Sequence, residues 1–151
     1  MKGHEGARGE AGALQQPEHD TAAHTPSPEQ ICRVFAAYVR CLSAGDALGL
    51  AALFAQDGRL EDPIGTPAHV GREAIQHFFQ AGFDQTGGRI LFEPEGAVRI
   101  RGSQAAAAFT AICDRAQPPF RVETLDLARF DAEGQIESMV AVWGPSNFHP
   151  L

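Results

Sequence analysis

Residues 120–143 read FRVETLDLARFDAEGQIESMVAVW. Two alternating runs flank a polar connection, Asp131-Ala132-Glu133-Gly134, that ends in glycine. In the first run Phe120, Val122, Thr124, Asp126, Ala128 and Phe130 share one side. Arg121, Glu123 and Arg129 mark the other, which also carries Leu125 and Leu127. This pattern predicts antiparallel strands over Phe120–Phe130 and Gln135–Trp143, joined as a hairpin. Working backwards, a third long strand is expected over Ala105–Cys113, with shorter ones over Ala97–Arg101 and Arg89–Glu93. No helical stretch separates these runs, so a parallel βαβ layout is not expected.

Further upstream the period changes to helical. Ser27-Pro28-Glu29-Gln30 is a helix start: Ser27 as N-cap, Pro28 at the first helical position, Gln30 completing a capping box. Ile31, Val34, Phe35, Tyr38, Val39 and Leu42 follow at helical spacing. Gly45 ends that helix and Asp46 caps a second, which carries Leu48, Leu50, Leu53 and Phe54 and stops before an Asp57-Gly58 turn. A short strand over Arg59–Asp62 ends at Pro63 and Gly65. A third helix is expected from Arg72 to about Gly82, with Ile75, Phe78, Phe79 and Phe83 as its apolar side. Helices first and antiparallel strands afterwards give an α+β class, a curved and mostly antiparallel sheet packed on three helices.

Composition bounds the rest. The chain of 151 residues suits one domain, and 44% hydrophobic residues with ten Phe supply a core and an apolar pocket. Residues 1–26 hold one leucine and no aromatic, so they read as a disordered tail before a domain over 27–151. The net charge of −7, with no basic cluster, argues against nucleic acid and anionic membranes as partners. No apolar run approaches the ~20 residues of a membrane span, and no apolar leader follows Met1. Cys32, Cys41 and Cys113 lack metal-type spacing and are expected to be reduced, in a cytoplasmic setting.

Three polar residues occupy unusual settings. Asp126 lies mid-strand among apolar neighbours, where desolvation would raise its pKa and let it stay protonated, as a hydrogen-bond donor. Asp62 precedes Pro63, which holds it extended at a strand end. Tyr38, the sole tyrosine, follows Val34 and Phe35 on the buried helix face, so its hydroxyl needs an internal partner. Trp143, the sole tryptophan, shares a strand face with Met139 and Ala141. Taken singly, each has an ordinary structural explanation: a solvated Asp, a turn Asp, core aromatics.

Together they carry a resemblance. Tyr38-Val39, Ser43-Ala44-Gly45-Asp46, Ala52-Leu53-Phe54-Ala55 and Glu61-Asp62-Pro63-Ile64-Gly65 resemble the bacterial ketosteroid isomerases. So do Leu125-Asp126 with Arg129-Phe130, then Ser138-Met139, Gly144 and Asn147-Phe148-His149. The resemblance covers about Glu29 to His149. It implies a conical, nuclear-transport-factor-2-like fold around a deep apolar pocket, and a homodimer. It implies Asp62 as general base and Tyr38 and Asp126 as oxyanion-hole donors. The implied reaction moves the C5=C6 double bond of a Δ5-3-ketosteroid to C4=C5 through a dienolate, without metal or nucleotide cofactor. Phe83, Phe109, Ala111, Met139, Ala141 and Trp143 are then expected to form the apolar wall. Phe54 and Phe79 stand where some members carry tyrosines, and the Asp84–Gly88 region is longer than the family pattern. A non-catalytic apolar-ligand-binding or assembly protein of the same fold, and a cyclase or dehydratase of polycyclic ketones, are the alternative readings.

Overall fold

A computed structural model describes residues 25–151. The expected tail therefore lies outside the described residues up to 24; Pro26 is buried, with the turn at Gly134 beside it. Helix α1 spans Pro28–Ala44 and has the expected start: Ser27 Oγ accepts from the Gln30 amide, and Gln30 reaches back to the Ser27 amide at 2.7 Å. Gly45 closes it in the left-handed region at φ 67. That glycine is obligatory twice over, because a Cβ there would stand 2.1 Å from the Gly88 carbonyl oxygen. Asp46 then caps α2, Ala47–Ala52, by accepting from the Gly49 amide at 2.8 Å.

The second helix is shorter than expected, and strand β1 starts at once, over Phe54–Glu61. Asp57-Gly58 is thus not a reversing turn but lies inside β1. Between Phe54 and Arg59 the strand advances five residues while its partner advances only from Ile136 to Ser138, so the surplus is taken up as a bulge. Gly58 sits at that kink, where a Cβ would come within 2.9 Å of the Ala55 carbonyl oxygen.

A two-residue strand β2, His69–Val70, pairs with β1, and helix α3 runs Arg72–Thr86. This helix passes through Gly82 for a further turn and ends at Gly87, in the left-handed region. The residues longer than the family pattern are therefore largely helix. The remaining strands are β3 Leu91–Pro94, β4 Arg99–Arg101, β5 Gln104–Cys113, β6 Phe120–Phe130, β7 Ile136–Val142 and β8 Phe148–Pro150. Strands β2 and β8, two and three residues long, carry too little alternation to be read in advance.

One sheet orders these strands β2-β1-β7-β6-β5-β3, with β4 on β5 and β8 on β6. It does not close on itself, and it matches the nuclear-transport-factor-2-like architecture. The pairing is antiparallel except between β1 and β7, which run parallel. The sheet is thus mostly antiparallel, as expected, and the C-terminal strands form no βαβ unit; the one parallel pair, β1 with β7, is separated by a long connection containing α3, which is what parallel pairing requires. The β6 face expected to be apolar is the buried one, with Val122, Thr124, Asp126, Ala128 and Phe130 inward. The helices cover it through Ile31, Phe35, Tyr38, Leu42, Ile75 and Phe79. All three cysteines are free.

Candidate active site

The inner face of the sheet and the helices enclose a cavity of about 470 Å³, within the range of sites that hold small ligands. Tyr38, Asp62 and Asp126 all line it, from three separate elements. Each is positioned by local structure. Tyr38 is on the buried face of α1, edge-on to Phe79 at 5.9 Å and tilted against Phe92 at 5.8 Å. Among the described residues no side chain hydrogen-bonds its hydroxyl, which belongs to the cavity lining instead of finding the internal partner expected. The two phenylalanines, Phe54 and Phe79, leave it without a tyrosine network.

Asp62 follows the last residue of β1. The turn after it is pinned twice: the Ile64 amide donates to the Ala141 carbonyl at 2.8 Å, and the Gly65 amide to Glu61 Oε1 at 2.7 Å. Gly65 adopts φ 92, a left-handed conformation suited to glycine. The Asp62 carboxyl accepts a hydrogen bond of 2.7 Å from the Trp143 indole Nε1. Burial raises its pKa above the ordinary carboxyl range, while the Trp143 hydrogen bond and then the charge of His69 pull it back.

Asp126 is 2% exposed. Its cross-strand neighbours are Ala107 on β5 and Ala141 on β7, and these small side chains leave its carboxyl room to open into the cavity. Thr124, two residues earlier on the same face, donates its hydroxyl to Asp126 Oδ1 at 3.1 Å. Burial, and then the charge of Asp62, push the Asp126 carboxyl up to about 7; Thr124 acts weakly against them. Burial also pushes the Tyr38 phenol well above its usual value, reinforced by Asp126 and then Asp62. Near neutral pH the site holds a phenol and a carboxyl able to donate, facing a second carboxyl that ionises more easily than Asp126.

Of the expected apolar wall, Ala111, Ala141 and Trp143 line the cavity. Phe83, Phe109 and Met139 do not; each is buried in the packed core. Met139 lies opposite Ala128, on the side of Asp126 away from the lining residues Thr124, Val122 and Phe120. Phe109 faces inward but is covered by Phe92, stacked on it at 4.3 Å, and it is Phe92 that reaches the cavity. Phe83 is on the α3 face turned into the core. Phe78, Phe120, Val122 and Phe148 are among the further apolar lining residues that lie outside the expected wall. Alternation in β6 puts Phe120, Val122 and Thr124 on the side of Asp126, so that signal was present for three of the lining residues. The indole hydrogen bond to Asp62 bridges 81 positions, and local pattern carries no trace of it. Among the described residues no group of three or more His, Cys, Asp or Glu is placed to hold a metal ion.

Comparison with known proteins follows this geometry. Residues 35–139 match the family described as a SnoaL-like domain. The Steroid Delta-isomerase of Nocardioides simplex is 38% identical over 112 residues, spanning 74% of this chain and 88% of that protein. A solved structure of the epoxide hydrolase/cyclase-like enzyme SalBIII, studied for pyran ring formation in the polyether salinomycin, superposes with a TM-score of 0.71. It covers 82% of this chain and 97% of its own at 23% identity, a likeness of fold.

Proposed function

The chain belongs to the SnoaL-like domain family and is related to steroid Delta-isomerase, and we propose that it is itself a steroid Delta-isomerase acting on Δ5-3-ketosteroids. The observation that carries this reading is the meeting of Tyr38, Asp62 and Asp126 in one largely apolar cavity.

In the proposed mechanism the substrate's C3 oxygen lies between the Tyr38 hydroxyl and the protonated Asp126. Ionised Asp62 removes the C4 proton. The electron pair left behind forms C3=C4 of a dienolate, and its negative charge collects on the C3 oxygen. Two donors fixed in a desolvated site stabilise that charge as it develops, without having to reorganise. Asp62, now protonated, returns the proton at C6, and the double bond settles at C4=C5 in conjugation with the ketone. Nothing is consumed and no external acid is needed.

The two carboxyls must hold opposite protonation states, a division for which ketosteroid isomerases are themselves the standard example. Here it follows from position. Asp126 is buried mid-strand between alanines, and the charge on Asp62 disfavours a second charge nearby. Asp62 stands at a strand end with an indole N–H donating to its charged form. Thr124 limits how far Asp126 rises and fixes which oxygen faces the cavity.

The protein acts as a cytoplasmic homodimer in this reading. Support for the dimer comes from the outward face of the sheet, where Leu125 pairs with Val142 and Leu127 with Val140. Leu125, Leu127 and Val142 are 40%, 42% and 38% exposed, an apolar patch suited to a second copy. The catalytic unit is residues 27–151.

The test is direct. Purified protein mixed with a Δ5-3-ketosteroid should generate the absorbance of the conjugated enone, catalytically and without added metal or nucleotide. Tight binding with no enone formed would favour a non-catalytic apolar-ligand-binding protein instead.

A further inference from the structure

The cavity continues well past the reacting groups. Along β6, Asp126, Thr124, Val122 and Phe120 line it in turn. Six residue steps separate Asp126 from Phe120, roughly 20 Å of wall. That is longer than the four fused rings of a steroid.

The outer part of this wall is built separately. Strand β7 flanks β6 from Leu125 to Phe130 and ends at Val142. After a 3₁₀ turn at Pro145–Asn147, β8 takes over the same edge, with Phe148 opposite Val122 and Pro150 opposite Phe120. On the other side β5 continues to Cys113, opposite Phe120. The helical cover reaches equally far, because α3 runs on to Thr86 and adds Gln85 and Thr86 to the lining. The Thr86 hydroxyl is spent on the Gly82 carbonyl at 2.8 Å. The surface left at this end is dominated by Phe120 and Phe148, stacked with ring centroids 4.7 Å apart. Phe148 is 47% exposed, apolar area that nothing among the described residues covers.

We propose that the preferred substrates are Δ5-3-ketosteroids bearing an alkyl side chain several carbons long at C17, the chain lying against Phe120 and Phe148. The proposal rests on the isomerase reading for the direction of the steroid: C3 oxygen at Tyr38 and Asp126, C17 towards β8. A C17 ketone presents no apolar atoms to the stacked pair, whereas an alkyl chain covers it. Each methylene fully removed from water strengthens binding about fourfold, and at a half-open rim the gain is roughly twofold.

The experiment measures dissociation constants for a series of 4-en-3-one steroids that differ only at C17: ketone, acetyl and an eight-carbon alkyl chain. Trp143, the sole tryptophan, lines the cavity, and its fluorescence reports occupancy. The alkyl member should bind at least about tenfold more tightly than the ketone. That ratio should fall severalfold in Phe148→Ala and be largely restored in Phe148→Leu. Equal affinities, tighter binding of the ketone (recognition of oxygen by Gln85), or a ratio unchanged in Phe148→Ala would each overturn the proposal. Enone formation from the matching Δ5-3-ketones is followed separately. Turnover with no dependence of affinity on chain length refutes the side-chain proposal alone. Chain-length dependence with no turnover refutes the isomerase reading alone.

Discussion

The indole nitrogen of Trp143 donates a 2.7 Å hydrogen bond to Asp62 Oδ1, joining the residue after β7 to the residue after β1. The parallel pairing of β1 with β7 makes this possible, since it brings the two strand ends to the same side of the sheet. A donor on the carboxylate favours its charged form and holds the proposed base available at lower pH. Trp143→Phe should keep most of the wall and lose the donor. The acid limb of kcat/KM should then move up by roughly one pH unit, the ~1.4 kcal/mol of a modest hydrogen bond to a charged group. An unmoved acid limb would show that the indole does not tune Asp62.

Asp62→Asn preserves shape and removes the proposed base. Proton transfer should fall by far more than tenfold, while the dissociation constant for a 4-en-3-one steroid changes little. Turnover within about tenfold of wild type, only ~1.4 kcal/mol of barrier, would remove Asp62 from the base role.

Asp126 and Asp62 together set a pH window. The proposed mechanism needs Asp62 ionised and Asp126 protonated, so kcat/KM should rise through the elevated Asp62 pKa and fall as Asp126 ionises at about 7. Asp126→Asn should remove the alkaline limb and cost less than Asp126→Ala, because Asn keeps an N–H towards the dienolate oxygen. Equal losses for Asn and Ala, with the alkaline limb retained, would contradict a protonated-donor role.

Much of this site could be read from the sequence because its groups sit on strongly patterned elements. The Ser27 cap and Gly45 stop fix α1 and with it Tyr38. The alternation of β6 is unbroken over its buried half, and it places Asp126 on the inward side. Asp57-Gly58 misled because that pair makes a bulge as readily as a turn, and which one depends on the partner strand β7 far along the chain. Phe83, Phe109 and Met139 show the limit of alternation. It separates inside from outside, but whether an inward side chain meets the cavity or another ring depends on what lies above it, as Phe92 lies over Phe109.

The Asp126 carboxyl should also appear in folding stability. Its pKa is raised in the folded state, so the folded protein binds the proton more tightly than the unfolded chain does. Stability is therefore greatest below the unfolded value and is lost as pH rises through the folded value of about 7. Between about pH 4 and 7 the wild type should lose on the order of 4 kcal/mol of unfolding free energy relative to Asp126→Asn, which has no proton to release. Parallel urea-denaturation stabilities for the two proteins across this range would show that Asp126 ionises normally in the fold.

Tyr38→Phe isolates the other proposed donor. The ring packs edge-on to Phe79 and against Phe92, and among the described residues its hydroxyl binds no side chain. Removing the oxygen should thus leave folding intact, since no buried partner is stranded. Turnover should fall by roughly 10²–10³ in kcat, the usual loss for one oxyanion-hole donor. A phenolic steroid, whose ring oxygen resembles the dienolate, should bind more weakly to the variant for the same reason. Tyr38 is the sole tyrosine of the chain, so every tyrosine signal in the wild-type spectrum belongs to it. Its ultraviolet band or labelled-carbon resonance should shift on saturation with the phenol. An unshifted signal in the saturated complex would make Tyr38 a packing residue and leave Asp126 as the lone donor, and kcat in Tyr38→Phe would then stay close to wild type.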